Sequence, residues 1–492
     1  MLKEFTRPED GLDKESRKEE IKRLEKLLVS LQPALRASKL PVVVLVEGWA
    51  SAGKGSLINK LISDIDPRFS GVFSLDSDRR DADRYPFLYP FFSALPENGK
   101  MLFMDGGWME AAVSERLLGE MSREDCRRRL EEINRFERQL RDNGYLVLKL
   151  FIHISREEQA RRQKALLAEK DTAWRVSDYD RKQNDRYGDF RKAYENFMAA
   201  TGEVFPWHVV DGSGKSKRIY DAFRLLTEMI EKGLADGKYK GLPFEEEFPM
   251  APAPKLSEVD LSQKLEEKEY REELDALQAL IAKLHNMIYR KRIPVVIGFE
   301  GWDAAGKGGA IRRLAYPLDP RGFDTYPPSP PEPHELARHY LWRFWTRLPR
   351  TGHVAIFDRT WYGPVMVERI EGFCETEDWQ RAYNEINEFE EALNNWGAVV
   401  LKFWVHIDRE TQLQRFNERQ NTPEKQWKIT EEDWRNREKW PRYEEAVSEM
   451  LEKTSTAAAP WHVIESNDKL FARIKVLRIV AEALEKALKE KD

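Results

Sequence analysis

Runs of consecutive apolar residues alternate with amphipathic segments, and the whole alternation occurs twice along the chain. The first half contains PVVVLVE (41–47), KMLFMDGG (100–107), YLVLKLFIHI (145–154) and PWHVV (206–210), and the second contains PVVIGFE (294–300), HVAIFDRT (353–360), AVVLKFWVHI (398–407) and PWHVI (460–464). Leucines and an isoleucine at helical spacing precede each series, at 24, 27, 28 and 31 and at 277, 280, 281 and 284. Continuous apolar strands between helices predict two parallel sheets, each covered by helices on both faces.

The two halves are copies of one domain, related by a constant offset of 253 residues. Gly48 pairs with Gly301, Lys54 with Lys307, Asp105 with Asp358 and Trp174 with Trp427, and the offset changes by only one residue at PWHVV and PWHVI. The segment 237–258 is rich in proline and charge, as linkers are. We therefore predict an α/β chain with two tandem domains, at 1–240 and 255–492.

A phosphate-binding loop is predicted after the first apolar run of the second copy, in GWDAAGKGG at 301–309. Gly301, Gly306 and Lys307 match the G-x-x-x-x-G-K pattern, and a strand before it and a helix after it make the match specific. Backbone N–H groups of such a loop bind phosphate at a helix N-terminus. Gly308 replaces the usual magnesium-binding hydroxyl, and Asp303 lies inside the loop. Each copy is predicted to be a P-loop kinase-like domain.

Two aspartates are candidate magnesium ligands. Asp358 ends a buried strand, which is the position of the second metal-binding acid in P-loop enzymes, although an aspartate there can also cap the next helix. Magnesium is held by one or two carboxylates together with phosphates and water. Asp303 either shares the metal with Asp358, orients the acceptor phosphate, or stabilises the loop, and the sequence does not separate these roles.

Arginines are concentrated near the loop of the second copy. Residues 311 to 369 contain nine arginines and no lysine, and the guanidinium fork binds phosphate oxygens in pairs. Arg343, Arg359 and Arg338 are the candidates, with a solvated helix face as the alternative. The segment 415–434 is polar and basic, and we predict a helical lid over the phosphates whose cations are Arg415, Arg419, Lys425 and Lys428. An exposed helical hairpin would have the same composition.

Composition narrows the class of protein. The net charge is -5 although 34% of the 492 residues are charged, which argues against a general nucleic-acid-binding protein but permits a local site for a smaller polyanion. Cys126 and Cys374 build neither a disulfide framework nor a zinc cluster, which favours a cytoplasmic location. The N-terminal segment is too polar for a signal peptide. No apolar run has the length of a membrane helix, so we expect no membrane association.

The motifs GWDAAGKGG, FDRTWYGPVMVERI, RFNERQNTPEKQWK and TSTAAAPWHVI together resemble those of the polyphosphate kinase 2 family. The resemblance covers nearly all of 290–480 and extends more weakly over 40–230. It implies a P-loop fold with a helical lid, Mg²⁺, and inorganic polyphosphate as the phosphoryl donor to a nucleotide. The resemblance implies catalytic or phosphate-binding roles for Asp303, Lys307, Asp358 and Arg359, and the four lid cations match the family's lid pattern. The residues themselves predict phosphate binding by Gly301, Gly306, Gly308 and Arg343, and metal binding by Asp303 and Asp358. Gly363-Pro364 departs from the polar residues that relatives often carry there.

The tandem arrangement is similar to that of family members that convert AMP to ADP, so the resemblance implies AMP as acceptor, with ADP or GDP as the alternative. It also implies a homo-oligomer. A nucleoside kinase that uses ATP and a non-catalytic polyphosphate-binding scaffold are further hypotheses. In the first copy Ala50, Pro90, Gly106, Leu166 and Thr172 replace Asp303, Arg343, Arg359, Arg419 and Lys425. Because several reactive groups are missing together, we expect the first copy to be degenerate and not to catalyse transfer.

Overall fold

The structure is a computed structural model, and it describes Leu2, Phe5 and residues 11–75, 84–119, 121–239 and 246–491, without the side chains of Lys425 and Lys428. The chain divides into two compact units. The first comprises Met1–Arg79, Leu88–Gly241 and Glu332–Trp342, and the second comprises Arg80–Phe87, Leu242–Pro331 and Arg343–Asp492. Each unit therefore includes a short segment from the other half of the sequence, which the repeat did not indicate. None of the described helices has both the length and the apolar composition that crossing a membrane requires.

The first half of the chain forms one five-stranded parallel sheet in the order β2-β3-β1-β4-β5. Its strands are β1 (Val42–Gly48), β2 (Ser70–Ser74), β3 (Met101–Asp105), β4 (Leu146–His153) and β5 (Trp207–Asp211). Its helices are α1 (Lys14–Ser38), α2 (Lys54–Ile62), α3 (Tyr89–Ala94), α4 (Trp108–Leu118), α5 (Arg123–Asp142), α6 (Arg156–Ala168), α7 (Asp178–Asp185), α8 (Tyr187–Ala200) and α9 (Lys215–Asp236), with a 3₁₀ turn at Ala173–Arg175.

The second half repeats this arrangement in the sheet β10-β9-β6-β8-β7. Its strands are β6 (Val295–Gly301), β7 (Phe323–Tyr326), β8 (Val354–Asp358), β9 (Val399–His406) and β10 (Trp461–Glu465). Its helices are α10 (Glu267–Lys291), α11 (Lys307–Ala315), α12 (Pro333–Leu336), α13 (Trp342–Trp345), α14 (Arg369–Glu371), α15 (Thr376–Asn395), α16 (Arg409–Gln420), α17 (Glu431–Glu438), α18 (Trp440–Thr454) and α19 (Lys469–Glu490). Leu256–Glu258 and Pro423–Lys428 are 3₁₀ turns, and Pro364–Glu368 is a π-helix.

The predicted fold class is confirmed, since both sheets are parallel and flanked by helices. Each sheet has one strand more than the four that the sequence pattern indicated. The additional strands, β2 and β7, lie at the sheet edges and are only partly buried. They were missed because a short edge strand lacks the continuous apolar run of a central one, whereas every residue of β1 is buried.

A buried ion pair ties α15 to the sheet of the second unit. The Lys402 ammonium on β9 donates to Glu390 Oε2 at 2.7 Å, to the Tyr362 hydroxyl at 2.8 Å and to the Thr454 carbonyl at 2.6 Å. Glu390 Oε1 also accepts from the Trp361 indole at 2.9 Å. The first unit has the equivalent pair, Lys149 with Glu137, at 2.7 Å. Since both copies keep it, we assign this network to the fold.

Glu390→Ala is expected to lower the free energy of unfolding by about 3–5 kcal/mol, because it leaves the buried ammonium of Lys402 uncompensated. Chemical denaturation of the full chain measures the change. Glu445→Ala, at an exposed position of α18, serves as the control and should change the free energy by less than about 0.5 kcal/mol. Equal stability of the two variants would contradict a structural role for the pair.

Candidate active site

The phosphate-binding loop connects β6 to α11 at the point where the strand order reverses, with β8 on one side of β6 and β9 on the other. In open parallel sheets ligands bind at this switch point. Gly306 precedes the first residue of α11, so the loop N–H groups and the helix N-terminus face the same place. The Lys307 ammonium donates to the Gly301 carbonyl at 2.7 Å and to the Trp302 carbonyl at 3.4 Å.

Two glycines are required by the loop's close packing and by its backbone conformation. Gly301 has a φ of 146°, and a Cβ there would lie 2.4 Å from the Val405 carbonyl oxygen. Gly306 has a φ of 115°, which side chains rarely adopt. Gly308 differs, because a Cβ on it would meet nothing within 4 Å. A side chain with a hydroxyl would therefore fit at position 308, and lack of space does not explain why the chain has glycine there.

Asp303 is held by groups from two other segments. Its Oδ1 lies 3.3 Å from Arg359 Nη2, and its Oδ2 accepts from Asn436 Nδ2 on α17 at 2.9 Å. Its backbone carbonyl accepts from Gln412 Nε2 on α16 at 3.1 Å. The carboxylate is thus oriented toward the cleft by an arginine on one side and an amide on the other.

Asp358 ends β8 beside the loop, in register with Phe299 of β6. Its Oδ1 atom is buried and has no hydrogen-bond partner within the described part of the chain. The neighbouring buried carboxylate, Glu300, is satisfied differently, since its Oε1 accepts from the N–H and the hydroxyl of Thr360. Burial raises the pKa of Glu300, although the Lys307 ammonium opposes the shift. Glu300 therefore fixes the turn after β8, whereas Asp358 has an oxygen available for a ligand.

Arg359 has a left-handed backbone conformation, with a φ of 65°. For a residue with a Cβ this conformation costs about 1–2 kcal/mol. It persists because the Arg359 N–H donates to the Phe299 carbonyl at 3.0 Å and the guanidinium pairs with Asp303. Strain of this kind concentrates at functional sites. The first copy relieves it with Gly106, whose φ is 75°.

These side chains line one open cleft with a volume of about 450 Å³. Asp303, Lys307, Asp358 and Arg359 all lie in it, together with Gly306, Gly308, Arg312, Arg313, Arg419 and Asp433. The structure therefore brings together the four residues that the sequence analysis assigned to catalysis. The cleft offers backbone N–H groups, several cations and three carboxylates in one place, as transfer between phosphates requires.

Arg415 lies elsewhere than the lid hypothesis places it. Its guanidinium is buried and donates to the carbonyls of Ala304 and Ala305 at 3.0 and 2.8 Å, and also to those of Ser466 and Asn467. Arg162 of the first copy makes the equivalent contacts. Arg415 therefore holds the phosphate loop against the turn after β10. Its donors are directed at backbone carbonyls, not into the cleft.

The other predicted cations are distributed unevenly. Arg419 lines the cleft. Arg343 does not line it and donates to the Ser329 carbonyl and hydroxyl at 3.2–3.3 Å. Arg338 belongs to the first unit, where it donates to the Leu95 carbonyl at 2.8 Å. The side chains of Lys425 and Lys428 lie outside the described residues.

Sequence reasoning missed several residues at this site. Asn436 and Gln412 contact Asp303, and Arg312 and Arg313 project from the first turns of α11 into the cleft. The two arginines carried a usable signal, because they follow Lys307 by five and six positions and so lie on the helix that the loop begins. Asn436 and Gln412 carried none, since they lie more than 100 residues from Asp303.

The histidines at the ends of the long strands support the loop. His406 is buried, and its Nδ1 accepts from the Trp302 indole at 3.0 Å. Trp302 in turn stacks on Trp440, with ring centroids 3.7 Å apart. His153 accepts from Trp49 in the first copy, also at 3.0 Å. Since Nδ1 must be unprotonated to accept, this contact requires a neutral imidazole. Burial lowers the pKa of His406 to about 4, although Asp408 and Glu465 oppose the shift.

The stability of the protein should therefore fall as pH decreases through the range from about 6.5 to 4. The folded-state pKa of His406 lies below the unfolded value of 6.5, so the unfolded state binds the proton first. Between pH 7.5 and 5 this linkage is expected to lower the free energy of unfolding by about 2 kcal/mol. Denaturation at both pH values measures it. His406→Gln should reduce the pH dependence by that amount, and an unchanged dependence would contradict the assignment.

Comparison with known proteins is consistent with this geometry. The family model described as polyphosphate kinase 2 matches residues 11–236 and 264–492. A polyphosphate:AMP phosphotransferase of Pseudomonas aeruginosa is 39% identical over 486 residues, which are 98% of each chain. An ADP-polyphosphate phosphotransferase of the same organism is 38% identical over 218 residues, 44% of this chain and 72% of its own. A crystal structure described as a polyphosphate kinase 2 from Pseudomonas aeruginosa superposes with a TM-score of 0.83 at 38% identity, covering 98% of both chains.

Proposed function

The chain belongs to the polyphosphate kinase 2 family, and we propose that its second copy transfers a phosphoryl group from inorganic polyphosphate to AMP, giving ADP. The observation that carries this proposal is the cleft in which Lys307, Asp358 and Arg359 meet beside Asp303. The first copy keeps the lysine and the strand-end acid but has Ala50 and Gly106 at the other two positions. The full reactive set is therefore assigned to the second copy.

AMP is favoured as acceptor by the tandem architecture. The relative named for AMP matches this chain along its whole length, whereas the relative named for ADP matches less than half of it. The second candidate, phosphorylation of ADP or GDP to the triphosphate, is supported by the likeness of that shorter relative.

The loop and its cations act on the phosphates directly. In this proposal the loop N–H groups and the α11 N-terminus bind the donor oxygens, and Lys307 stabilises the negative charge that develops during transfer. Arg359 offers its guanidinium to a phosphate in the same cleft. Arg419, in α16, adds positive charge at the rim and helps to exclude water, which would otherwise compete as acceptor.

Magnesium fits the donor set of this cleft. Asp358 Oδ1 is a buried carboxylate oxygen without a hydrogen-bond partner, and Asp303 offers a second carboxylate. The described residues contain no group of three or more His, Cys, Asp or Glu side chains that could hold a metal ion, and Mg²⁺ commonly takes only one or two carboxylates plus phosphate and water. We propose that Asp303 and Asp358 would hold Mg²⁺, which when bound supplies charge neutralisation on the phosphates. A cytoplasmic location is also proposed and agrees with the free thiols of Cys126 and Cys374.

Product analysis tests the proposed reaction. The purified chain is incubated with long-chain polyphosphate and Mg²⁺, with AMP and ADP offered in separate tubes. We expect ADP from AMP, little ATP from ADP, and no product in either tube after chelation of the metal. Asp303→Ala should lose most of the turnover, because it removes a proposed metal ligand and the partner of Arg359.

Two results would overturn parts of the proposal. ATP formed from ADP, with AMP unreacted, would keep the site and assign the second acceptor class. Absence of product in both tubes, with Asp303→Ala indistinguishable from the wild type, would leave a polyphosphate-binding scaffold in place of an enzyme.

A further inference from the structure

The first copy retains the backbone of a phosphate-binding loop. Ser51 and Ala304 occupy equivalent positions and share a left-handed conformation, with φ values of 60° and 61°. Gly53 and Gly306 are also equivalent, with φ values of 93° and 115°. Lys54 begins α2 as Lys307 begins α11. The loop conformation therefore does not explain a loss of function, and the difference must lie in the side chains around it.

A carboxylate forms an ion pair with the lysine of the first loop. Glu110 Oε2 is 3.2 Å from the Lys54 ammonium, which also donates to the Gly48 carbonyl at 3.2 Å. The same oxygen lies 2.8 Å from where a Cβ on Gly106 would be. Gly106 is the counterpart of Arg359, so Glu110 reaches the space between the loop lysine and the strand-end arginine position. In the second copy that space belongs to the phosphate cleft.

The charge around Lys54 is unsuited to an anion. Glu47, Asp105 and Glu110 all act on this one ammonium, and together they raise its pKa even though burial alone would lower it. Burial and then the charge of Glu110 raise the pKa of Glu47, so Glu47 takes up a proton more readily than an ordinary glutamate. Even with Glu47 neutral, the charges of Asp105 and Glu110 offset that of the Lys54 ammonium itself. The guanidinium groups of Arg162 and Arg218 also lie beside the loop, but they direct donors at backbone carbonyls. The second cleft is lined by five cations, Lys307, Arg312, Arg313, Arg359 and Arg419, and by three aspartates, so its cations are in excess.

A guanidinium packs against the other side of the first loop. Arg218 is buried, and its Nη1 donates to the Ala52 carbonyl at 2.8 Å and to the Gly212 carbonyl at 3.3 Å. Its Nη2 donates to the Ser56 hydroxyl at 3.1 Å. A Cβ on Gly53 would be only 2.8 Å from this guanidinium. Arg218 therefore packs directly against the loop.

The second copy lacks both side chains. Gly363 is the counterpart of Glu110, and within the described residues the hydrogen bonds of the Lys307 ammonium go to backbone carbonyls. Ala472 is the counterpart of Arg218 on α19, since the offset is 254 residues here. Ala472 lines a cavity of about 200 Å³ beside the loop, together with Gly306 and Arg473. Where the first copy has an arginine, the second has open space.

We propose that Glu110 and Arg218 close the first phosphate-binding loop. The Glu110 carboxylate takes the position of an anionic phosphate at Lys54, and the Arg218 guanidinium fills the space that corresponds to the cavity beside the second loop. The first copy is then a folded P-loop domain in which the Glu110 carboxylate stands where a bound phosphate would lie. The chain accordingly has one polyphosphate-binding loop, in the second copy. This inference does not depend on which nucleotide is the acceptor.

Calorimetric titration of the full chain with inorganic tripolyphosphate and Mg²⁺ tests the closure. The test uses a Lys307→Met background, in which binding at the second loop is weakened, and adding Lys54→Met to it should leave the titration unchanged. Removing both closing side chains, as Glu110→Gly and Arg218→Ala in the same background, should create binding at least tenfold tighter. Adding Lys54→Met to that variant should abolish the gain. A loss of binding on Lys54→Met while Glu110 and Arg218 are still present would overturn the proposal.

Failure to gain binding would also overturn it, provided that the variant is folded by circular dichroism. A second variant, made in the second copy, does not depend on correct folding of the altered first copy. Ala472→Arg introduces into the second copy the arginine that the first copy carries, and it should weaken tripolyphosphate binding at least tenfold. Ala472→Leu, which adds bulk without charge or donors, is the matched control and should weaken binding less. Unchanged binding with Ala472→Arg would show that the position does not control access to the loop.

Discussion

Lys307→Met should lower kcat for polyphosphate-dependent phosphorylation by at least about a hundredfold, the usual loss when one preorganised group that stabilises transition-state charge is removed. The ammonium is positioned by the Gly301 carbonyl at 2.7 Å and lies in the same cleft as Asp358 and Arg359. Methionine preserves the length of the side chain but carries no charge. Because the charge matters most as the phosphoryl group transfers, kcat should fall further than the apparent affinity for polyphosphate. Steady-state kinetics at saturating nucleotide measures both.

The chain contains its own control for this prediction. Lys54→Met makes the same change at the equivalent position of the first copy, where the lysine already forms an ion pair with Glu110. Turnover per chain should stay within about twofold of the wild type. It is measured well below the unfolding temperature, because the substitution removes a partly buried ion pair and lowers the stability. If the two variants lose activity equally, the first copy takes part in the reaction, and the assignment of catalysis to the second copy alone is wrong.

Arg359→Gly should abolish most activity and still leave the protein as stable as the wild type or more stable by about 1 kcal/mol. Arginine at a φ of 65° is strained, and glycine adopts this conformation without the steric cost. The ion pair lost with Asp303 is 3.3 Å long and its arginine is 46% exposed, so it contributes little to stability. The rate should fall at least about a hundredfold, because the guanidinium at the cleft is removed.

Two measurements, denaturant unfolding and turnover, separate the effects of this substitution. Arg359→Lys is the comparison variant, because it keeps the strained backbone and the positive charge but loses the planar fork. It should retain wild-type stability and intermediate activity. A clear loss of stability in Arg359→Gly, with activity within tenfold of the wild type, would show that Arg359 is structural and that its backbone conformation serves the turn alone.

Local sequence pattern was sufficient for the elements that place the site. The central strands are continuous apolar runs, the loop is defined by glycines and a lysine at fixed spacing, and Asp358 is the last residue of its strand. The resemblance to the polyphosphate kinase 2 family, stated from four motifs, is confirmed by the family match over both copies. These features can be predicted from the sequence because each depends on residues within one segment of the chain.

The partners of the site residues were decided by the tertiary structure. The sequence predicted Arg415 as a lid cation. In the structure its guanidinium donates to the carbonyls of Ala304 and Ala305, because α16 places it next to the loop. Asn436, which orients Asp303, lies 133 positions from it along the chain. Nothing in the sequence distinguished Glu110 from the other acidic residues. Its contact with Lys54 arises because α4 places its carboxylate beside the lysine.

Two copies of a phosphate-loop domain, and the additional acid and arginine of the second copy, can be predicted from the amino-acid sequence. Which charged side chains face the cleft, and which are paired with neighbouring groups, follows only from the folded chain. Apolar periodicity and loop glycines act over a few adjacent residues. The state of a charged group depends instead on which oppositely charged or carbonyl groups lie within about 3–4 Å of it, and folding brings those groups from distant parts of the chain.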